Sequence, residues 1–185
     1  ADGPAKRCVL AALKAGYRHI DAAHGYPNER EVGEAIKESG VKREDIWLTT
    51  KIWPTEYDDA EAAVDRALKR LGVEYLDLVY LHHFLGDVKA GWRGLEAAVR
   101  HGKVRSIGIS NLAGSDENMS FFDGIEITPA IAQMERHITF TPDAYAADLR
   151  SRGIACEAWF PLGGTVSQKA QLSLPEVLAV AKKHG

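Results

Sequence analysis

A chain of 185 residues with 45% apolar and 26% charged side chains has the composition of an ordinary globular protein, which argues against disorder and against a membrane class. Its net charge of -3 comes from 23 basic and 26 acidic residues scattered along the whole length, so no basic stripe can neutralise nucleic-acid phosphates or an anionic membrane surface. No apolar run nears the ~20 residues that span a bilayer, and the opening ADGPAKRCVLAALKAG lacks the order of a signal peptide, so a cytoplasmic protein is expected. Residues 1–185 suffice for one domain with a full core. Cys8 and Cys156 are far apart with no CxxC, and are read as two small buried thiols in a reducing compartment rather than as a disulfide.

In chain order, Gly16, Gly40, Gly72, Gly102 and Gly153 each close a charged or amphipathic segment and precede a run rich in Val, Ile, Leu, Tyr or Trp. That is a helix C-cap followed by a strand, repeated. The strands so predicted are 17–22, 46–51, 76–82, 104–109, 130–135 and 154–160. LDLVYL and IWLTTKI alternate too little for a sheet with one wet face and predict burial on both sides. Ahead of Gly72, Ala60, Ala63, Val64, Ala67, Leu68 and Leu71 share one helical face. In TPDAYAADLRSRG, Thr141 suits an N-cap and Pro142 the first helical turn. Residues 112–129 are the loosest part, with at most a short helix around Glu117 to Phe122. Strands and helices alternating every ~25 to 30 residues imply parallel βαβ units, in either an open doubly wound sheet or a closed barrel.

The unusual polar residues fall at predicted strand ends: Asp21, Lys51, His82, Ser110 with Asn111, Gln133, and the aromatic Trp159. In parallel α/β proteins that end carries ligands and chemistry. Each has a plain alternative. Asp21 could be a turn former and Tyr26 could be packing, and a lone interior histidine is more often a bonded core group than a ligand. His82 and His83 are adjacent, so on a strand they should point to opposite sides. Lys51 is harder to dismiss, because an amine ending the run IWLTT is costly unless it meets an opposite charge, and Asp21 on the neighbouring strand can supply it. Together they suggest a proton-donating site. A phenol with a pKa of about 10 is a poor acid at neutral pH, and an ammonium beside Tyr26 would stabilise the phenolate. A metal site on Asp21, His24, His82 or His83 is disfavoured, since neither HxH nor HExxH occurs.

These segments resemble the aldo-keto reductases. GYRHIDAAHGYPNEREVGEAI is similar to that family's first signature, GVKREDIWLTTKIW to its lysine segment, LGVEYLDLVYLHH to the strand ending in its histidine, and GKVRSIGISN to its central signature. PAIAQMERH and GIACEAWFPLGG continue the likeness in order. The resemblance implies an α/β (β/α)8 TIM barrel, here with about six strands, the family's second to seventh. It implies reduction of a small aldehyde or ketone by hydride transfer from NADPH, with NADH left open. Tyr26 would be the general acid, Asp21 and Lys51 its support, and His82 the residue orienting the carbonyl. Asp21, Ser110, Asn111, Gln133, Trp159 and Leu162 of PLGG would hold the cofactor, and His83, Tyr26 and His82 the substrate; no metal is implied.

Departures from the pattern are Ala22 for Thr, Ala132 for Asn, Ile138 for Pro and Phe160 for Ser, together with His83 and Phe84 for a Trp-Pro pair that generally lines the pocket. A more polar or differently shaped pocket is expected. The family's opening hairpin, first strand, eighth strand and basic closing segment have no counterpart in these residues. A monomer is expected for a full-length chain, and association through uncovered strand edges for a short one. The alternative reading is a truncated relative that binds cofactor or a partner with little turnover.

Overall fold

The computed structural model describes residues 3–112 and 120–185, in two compact units, Ala1–Ala130 and Ile131–Gly185. The first unit holds α1 (Pro4–Lys14), β1 (His19–Asp21), α2 (Glu29–Ser39), β2 (Trp47–Ile52), α3 (Ala60–Leu71), β3 (Leu76–Leu81), α4 (Val88–Arg100) and β4 (Val104–Ser110). The four strands pair in sequence order and all in parallel, with Asp21 opposite Thr49, Lys51 opposite Tyr80, and Tyr80 opposite Gly108. Parallel pairing is what the strand–helix–strand alternation demands, since each connection must cross over the sheet.

Every residue of β3 is buried, and so is every residue of β2 after Trp47, as the weak alternation of those runs predicts. The helices supply the covering layer. α3 buries Ala60, Ala63, Val64, Ala67 and Leu71, and ends on Gly72 with φ 66°, a left-handed geometry that glycine adopts without a Cβ clash. Each Val or Leu so buried stabilises by about 1.5–3 kcal/mol relative to exposure. All five glycines read as helix stops have positive φ, between 66° and 99°.

Part of the stretch read as loose is held firmly. Ser120–Phe122 forms one short 3₁₀ turn with Phe121 buried, while Glu117 lies outside the described residues. Just beyond it, the buried Glu96 of α4 accepts hydrogen bonds from the N–H groups of Glu126 (2.7 Å) and Ile127 (2.9 Å). Trp92 Nε1 donates to Ile127 O at 3.1 Å. A carboxylate on a helix thus replaces the missing secondary structure of the loop, a long-range pairing that local periodicity does not register.

The second unit contains β5 (Ile131–Glu135), α5 (Asp143–Ser151), β6 (Ala155–Trp159), α6 (Gly164–Leu172) and α7 (Pro175–His184). β5 and β6 are parallel, with Gln133 opposite Glu157 and Glu135 opposite Trp159. Ala146 and Leu149 of α5 and the adjacent Ile154 are buried. Two expectations fail locally. Pro142, not Thr141, takes the N-cap position of α5, and no side chain caps it, because the Thr141 carbonyl accepts from the Asp143 N–H in a tight turn. Cys8 is exposed on α1 and Cys156 half-buried, both as free thiols, because the apolar face of α1 runs through Leu13 instead. No described helix is long and apolar enough to cross a membrane.

Candidate active site

In the first unit the chain leaving β1 stays attached to β2: Ala22 N–H donates to Thr49 O and His24 N–H to Lys51 O. This places Asp21 beside Lys51. The Lys51 side chain is 1% exposed, and its Nζ donates to Asp21 Oδ1 at 2.6 Å and to Ala22 O at 3.2 Å. A buried ammonium is tolerated only with such partners. Asp21 itself keeps 31% of its side chain accessible, so the pair is sealed on the lysine side and open on the carboxylate side.

Tyr26 follows in a turn, its N–H bonded to Ala23 O, and 47% of the residue is exposed. Lys51 Nζ lies 5.1 Å from the centroid of its ring, within cation–π range. The turn depends on Gly25, where a Cβ would lie 2.9 Å from the Trp53 ring and 3.7 Å from His82 Cε1. Any larger residue there would force the turn or the Trp53 ring to shift.

His82 comes directly after β3, with its N–H on Ile52 O and only 7% of its surface accessible. Its ring meets those of Tyr26 and Trp53 edge to face, at centroid distances of 5.7 Å and 5.1 Å. Burial first, then the Lys51 charge, then His83, lower its pKa from 6.5 to about 4, so it is neutral at physiological pH. Its Nδ1 is buried without a hydrogen-bond partner among the described residues.

His83 corrects the strand-based expectation. The two imidazoles do not diverge but stack in parallel, 4.6 Å apart and 4° from coplanar orientation, with Trp53 edge-on to both. The two-residue alternation holds only while the backbone is extended, and β3 stops at Leu81. Asn111 closes the group: Nδ2 donates to His82 O at 2.9 Å and to Ser110 Oγ at 3.2 Å, from a backbone with φ 59°. Asn is among the few non-glycine residues that tolerate this region.

The first unit therefore brings together Asp21, Tyr26, Lys51, His82, His83 and Asn111, with the buried Ser110 beside Asn111. Trp53, Gly25 and Tyr57 belong to the same cluster and were not singled out from the sequence. Trp53 stands two residues after Lys51, and an aromatic immediately beyond a strand-end lysine was the available signal.

In the second unit Gln133 is buried on β5, its Nε2 3.3 Å from Glu157 Oε1. Trp159 ends β6 with Nε1 buried and without a hydrogen-bond partner among the described residues, and its ring meets Phe160 edge to face at 4.9 Å. Leu162 is exposed, and Gly163 (φ 89°) precedes the first turn of α6. At Gly164 a Cβ would fall 2.6 Å from the Phe160 ring, so that ring occupies the space a side chain would need.

The sequence model of the Aldo/keto reductase family matches residues 2–182. Among curated proteins, the chain is similar to an aldehyde reductase of Saccharomyces cerevisiae, 36% identical, over 96% of this chain and 66% of that protein. It is likewise similar to the glycerol 2-dehydrogenase (NADP(+)) of the same yeast, 36% identical over 99% of this chain and 68% of that one. Among solved structures, an aldo-keto reductase from a Medee basin deep-sea metagenome library superposes with a TM-score of 0.91 at 37% identity, over 97% of this chain and 67% of the other. The chain spans about two thirds of the length of the curated relatives it matches.

Proposed function

The chain belongs to the aldo/keto reductase family, and from that premise we propose that it serves NADPH-dependent reduction of a small aldehyde or ketone, with Tyr26 as the general acid. The observation that carries this reading is the Lys51 ammonium, 1% exposed, held by Asp21 at 2.6 Å and lying 5.1 Å from the centre of the Tyr26 ring. A positive charge there stabilises the phenolate that remains once Tyr26 has given its proton to the carbonyl oxygen. Asp21 keeps the amine from drifting. His82, neutral because it is buried beside Lys51, acts as a hydrogen-bond donor to the carbonyl oxygen and not as a competing acid. His83 adds a polar wall to the substrate side.

The residues fit a nicotinamide cofactor in kind. With its amide N–H groups turned to His82 O and Ser110 Oγ, Asn111 keeps Oδ1 as an acceptor for a carboxamide, and the Ser110 hydroxyl is available as a donor. In the second unit Gln133 offers an amide, Trp159 an aromatic face with a buried indole N–H that has no partner among the described residues, and Leu162 to Gly164 lead into the first-turn N–H groups of α6, which are suited to an anion. When bound, NADPH would supply the hydride. Support for NADPH comes from the NADP(+) in the name of the yeast glycerol 2-dehydrogenase.

The test follows the nicotinamide absorbance with a reactive aromatic aldehyde, for the wild-type chain and for Tyr26→Phe. The wild type is expected to turn over, and the variant to lose about 10²–10⁴-fold in kcat, the usual worth of general acid catalysis. Equal rates in both would remove Tyr26 from the mechanism. Quenching of tryptophan fluorescence by NADPH without any turnover would replace reduction with binding alone.

A further inference from the structure

The stacking of His82 on His83 requires the backbone to bend directly after Leu81, and something must take over the hydrogen bonds that a continuing strand would have made. Among the described residues, one atom does so for His83. The Tyr57 hydroxyl donates to His83 O at 2.7 Å and accepts from His83 N–H at 3.2 Å. In an antiparallel pair, two facing residues exchange both bonds in this way. Here a phenol stands in for the neighbouring strand, and it fits because a hydroxyl is both donor and acceptor.

Tyr57 is itself immobilised. It lies in the 3₁₀ segment Pro54–Asp59 that follows β2, and is 1% exposed. Its ring packs on Gly91 of α4, where a Cβ would fall 2.9 Å from Cγ of the ring and 3.1 Å from Leu81. Burial pushes its hydroxyl up to about 12, so the proton it donates stays in place across the working range of pH. On the other side of the bend Asn111 holds His82 O. The corner is thus gripped at both residues, from two elements distant in sequence.

We infer that Tyr57 is a positioning residue: by pinning the backbone of His83 it holds the two imidazoles stacked, and so fixes where the His82 ring sits relative to Tyr26 and Lys51. The inference deepens the reading of His82 as the residue that orients the carbonyl, yet the ring geometry can be tested without turnover.

The experiment compares wild type with Tyr57→Phe, which keeps the ring and deletes only the hydroxyl. Imidazole proton NMR titration of the folded proteins is the first readout. In the wild type His82 is expected to titrate near 4, lowered by burial, Lys51 and the stacked His83, with the Tyr26 ring edge-on to it and the Tyr57 hydroxyl against its backbone. In Tyr57→Phe the unpinned corner lets the His82 ring leave its buried place beside Lys51, so its titration is expected to move upward, with loss of the mutual ring-current shifts of His82 and His83. The second readout is kinetic: kcat for an aldehyde should fall about tenfold, the worth of one or two such hydrogen bonds, while KM for NADPH stays unchanged. The acid limb of the pH profile should move upward with the titration. A folded Tyr57→Phe with unaltered His82 titration and kcat would overturn the inference. If Tyr57→Phe does not fold, Gly91→Ala, which displaces the same ring while keeping its hydroxyl, must reproduce the NMR shifts or the inference fails. A wild type that shows the stacked, low-titrating His82 but no turnover would sink the catalytic reading and leave the clamp standing.

Discussion

The two ends of the β2–β3 pair bury charge in different ways. Near the amino end of β3, Asp77, with its side chain 2% exposed, accepts from Arg43 at 2.8 Å, from Arg105 at 2.9 Å and from the Leu48 N–H at 2.9 Å. Both guanidinium groups also lie over the Tyr75 ring, at 4.1 Å and 4.2 Å, and Arg43 donates further to Ile46 O and Tyr75 O. At the carboxyl end, Lys51 has one half-open carboxylate and one carbonyl, and the nearby His82 keeps a buried nitrogen with no partner among the described residues. A buried charge surrounded by surplus partners serves the fold. A sparsely partnered one beside an orphaned imidazole is what the proposed chemistry requires, because groups already saturated by the protein have nothing left for a substrate.

The largest effect expected from breaking this contrast is on activity. Lys51→Met should lower kcat about 10³-fold, in the range general acid support allows, while leaving stability within about 1 kcal/mol of wild type. Stability should hold because the charge left behind, Asp21, can hydrate through its exposed side, and methionine fills the lysine's space. Thermal melts and aldehyde turnover on the same preparation check both halves. A variant that unfolds would mean the pair is structural, like the one at Asp77.

Asp77→Ala should behave in the opposite sense. Removing it leaves Arg43, whose Nε has no partner among the described residues, without its anion and the Leu48 N–H unpaired inside the sheet. A loss of about 4 kcal/mol is expected by urea unfolding, with kcat of the folded fraction unchanged, since breaking a buried pair from one side leaves an uncompensated charge. A selective fall in kcat would show that the two ends are coupled.

Much of this contrast could be read in the sequence, and the rest could not, for definable reasons. Buried LDLVYL betrayed itself by lacking alternation, and the glycine punctuation located the helix ends within a residue or two. Lys51 stood out because an amine in an apolar run needs an anion, and its pairing with Asp21 follows from strand adjacency. The imidazole stack was misread because alternation was carried one residue past the end of β3. Its cause, the Tyr57 hydroxyl, lies 26 residues before His83 and meets it only in three dimensions. Glu96 and the loop at Glu126–Ile127, 30 residues apart or more, went unread for the same reason. Gln133 and Trp159 stand out by their place at strand ends, but their cofactor roles, and Leu162 altogether, come from family likeness alone, which identifies residue types and leaves their surroundings undetermined.

The smallest predicted effect sharpens the comparison through pH. In the folded chain the His82 pKa is depressed to about 4, whereas in the unfolded chain it titrates near 6.5. Above pH 6.5 both states hold His82 neutral and its contribution is constant. As pH falls from 6.5 the unfolded chain takes up the proton first, so stability declines, and the decline ends once pH passes below the folded value near 4. At about 1.4 kcal/mol per unit this amounts to about 3 kcal/mol. Other groups titrate in the same window, so the measurement is a difference: urea unfolding at pH 7 and pH 4.5 for wild type and His82→Gln, with wild type losing about 2–3 kcal/mol more. Repeating the pair on a Lys51→Met background should shrink that gap, because the lysine charge is the second cause of the depression after burial. An unchanged gap would assign the whole effect to burial and detach His82 from the charge that the proposed mechanism places beside it.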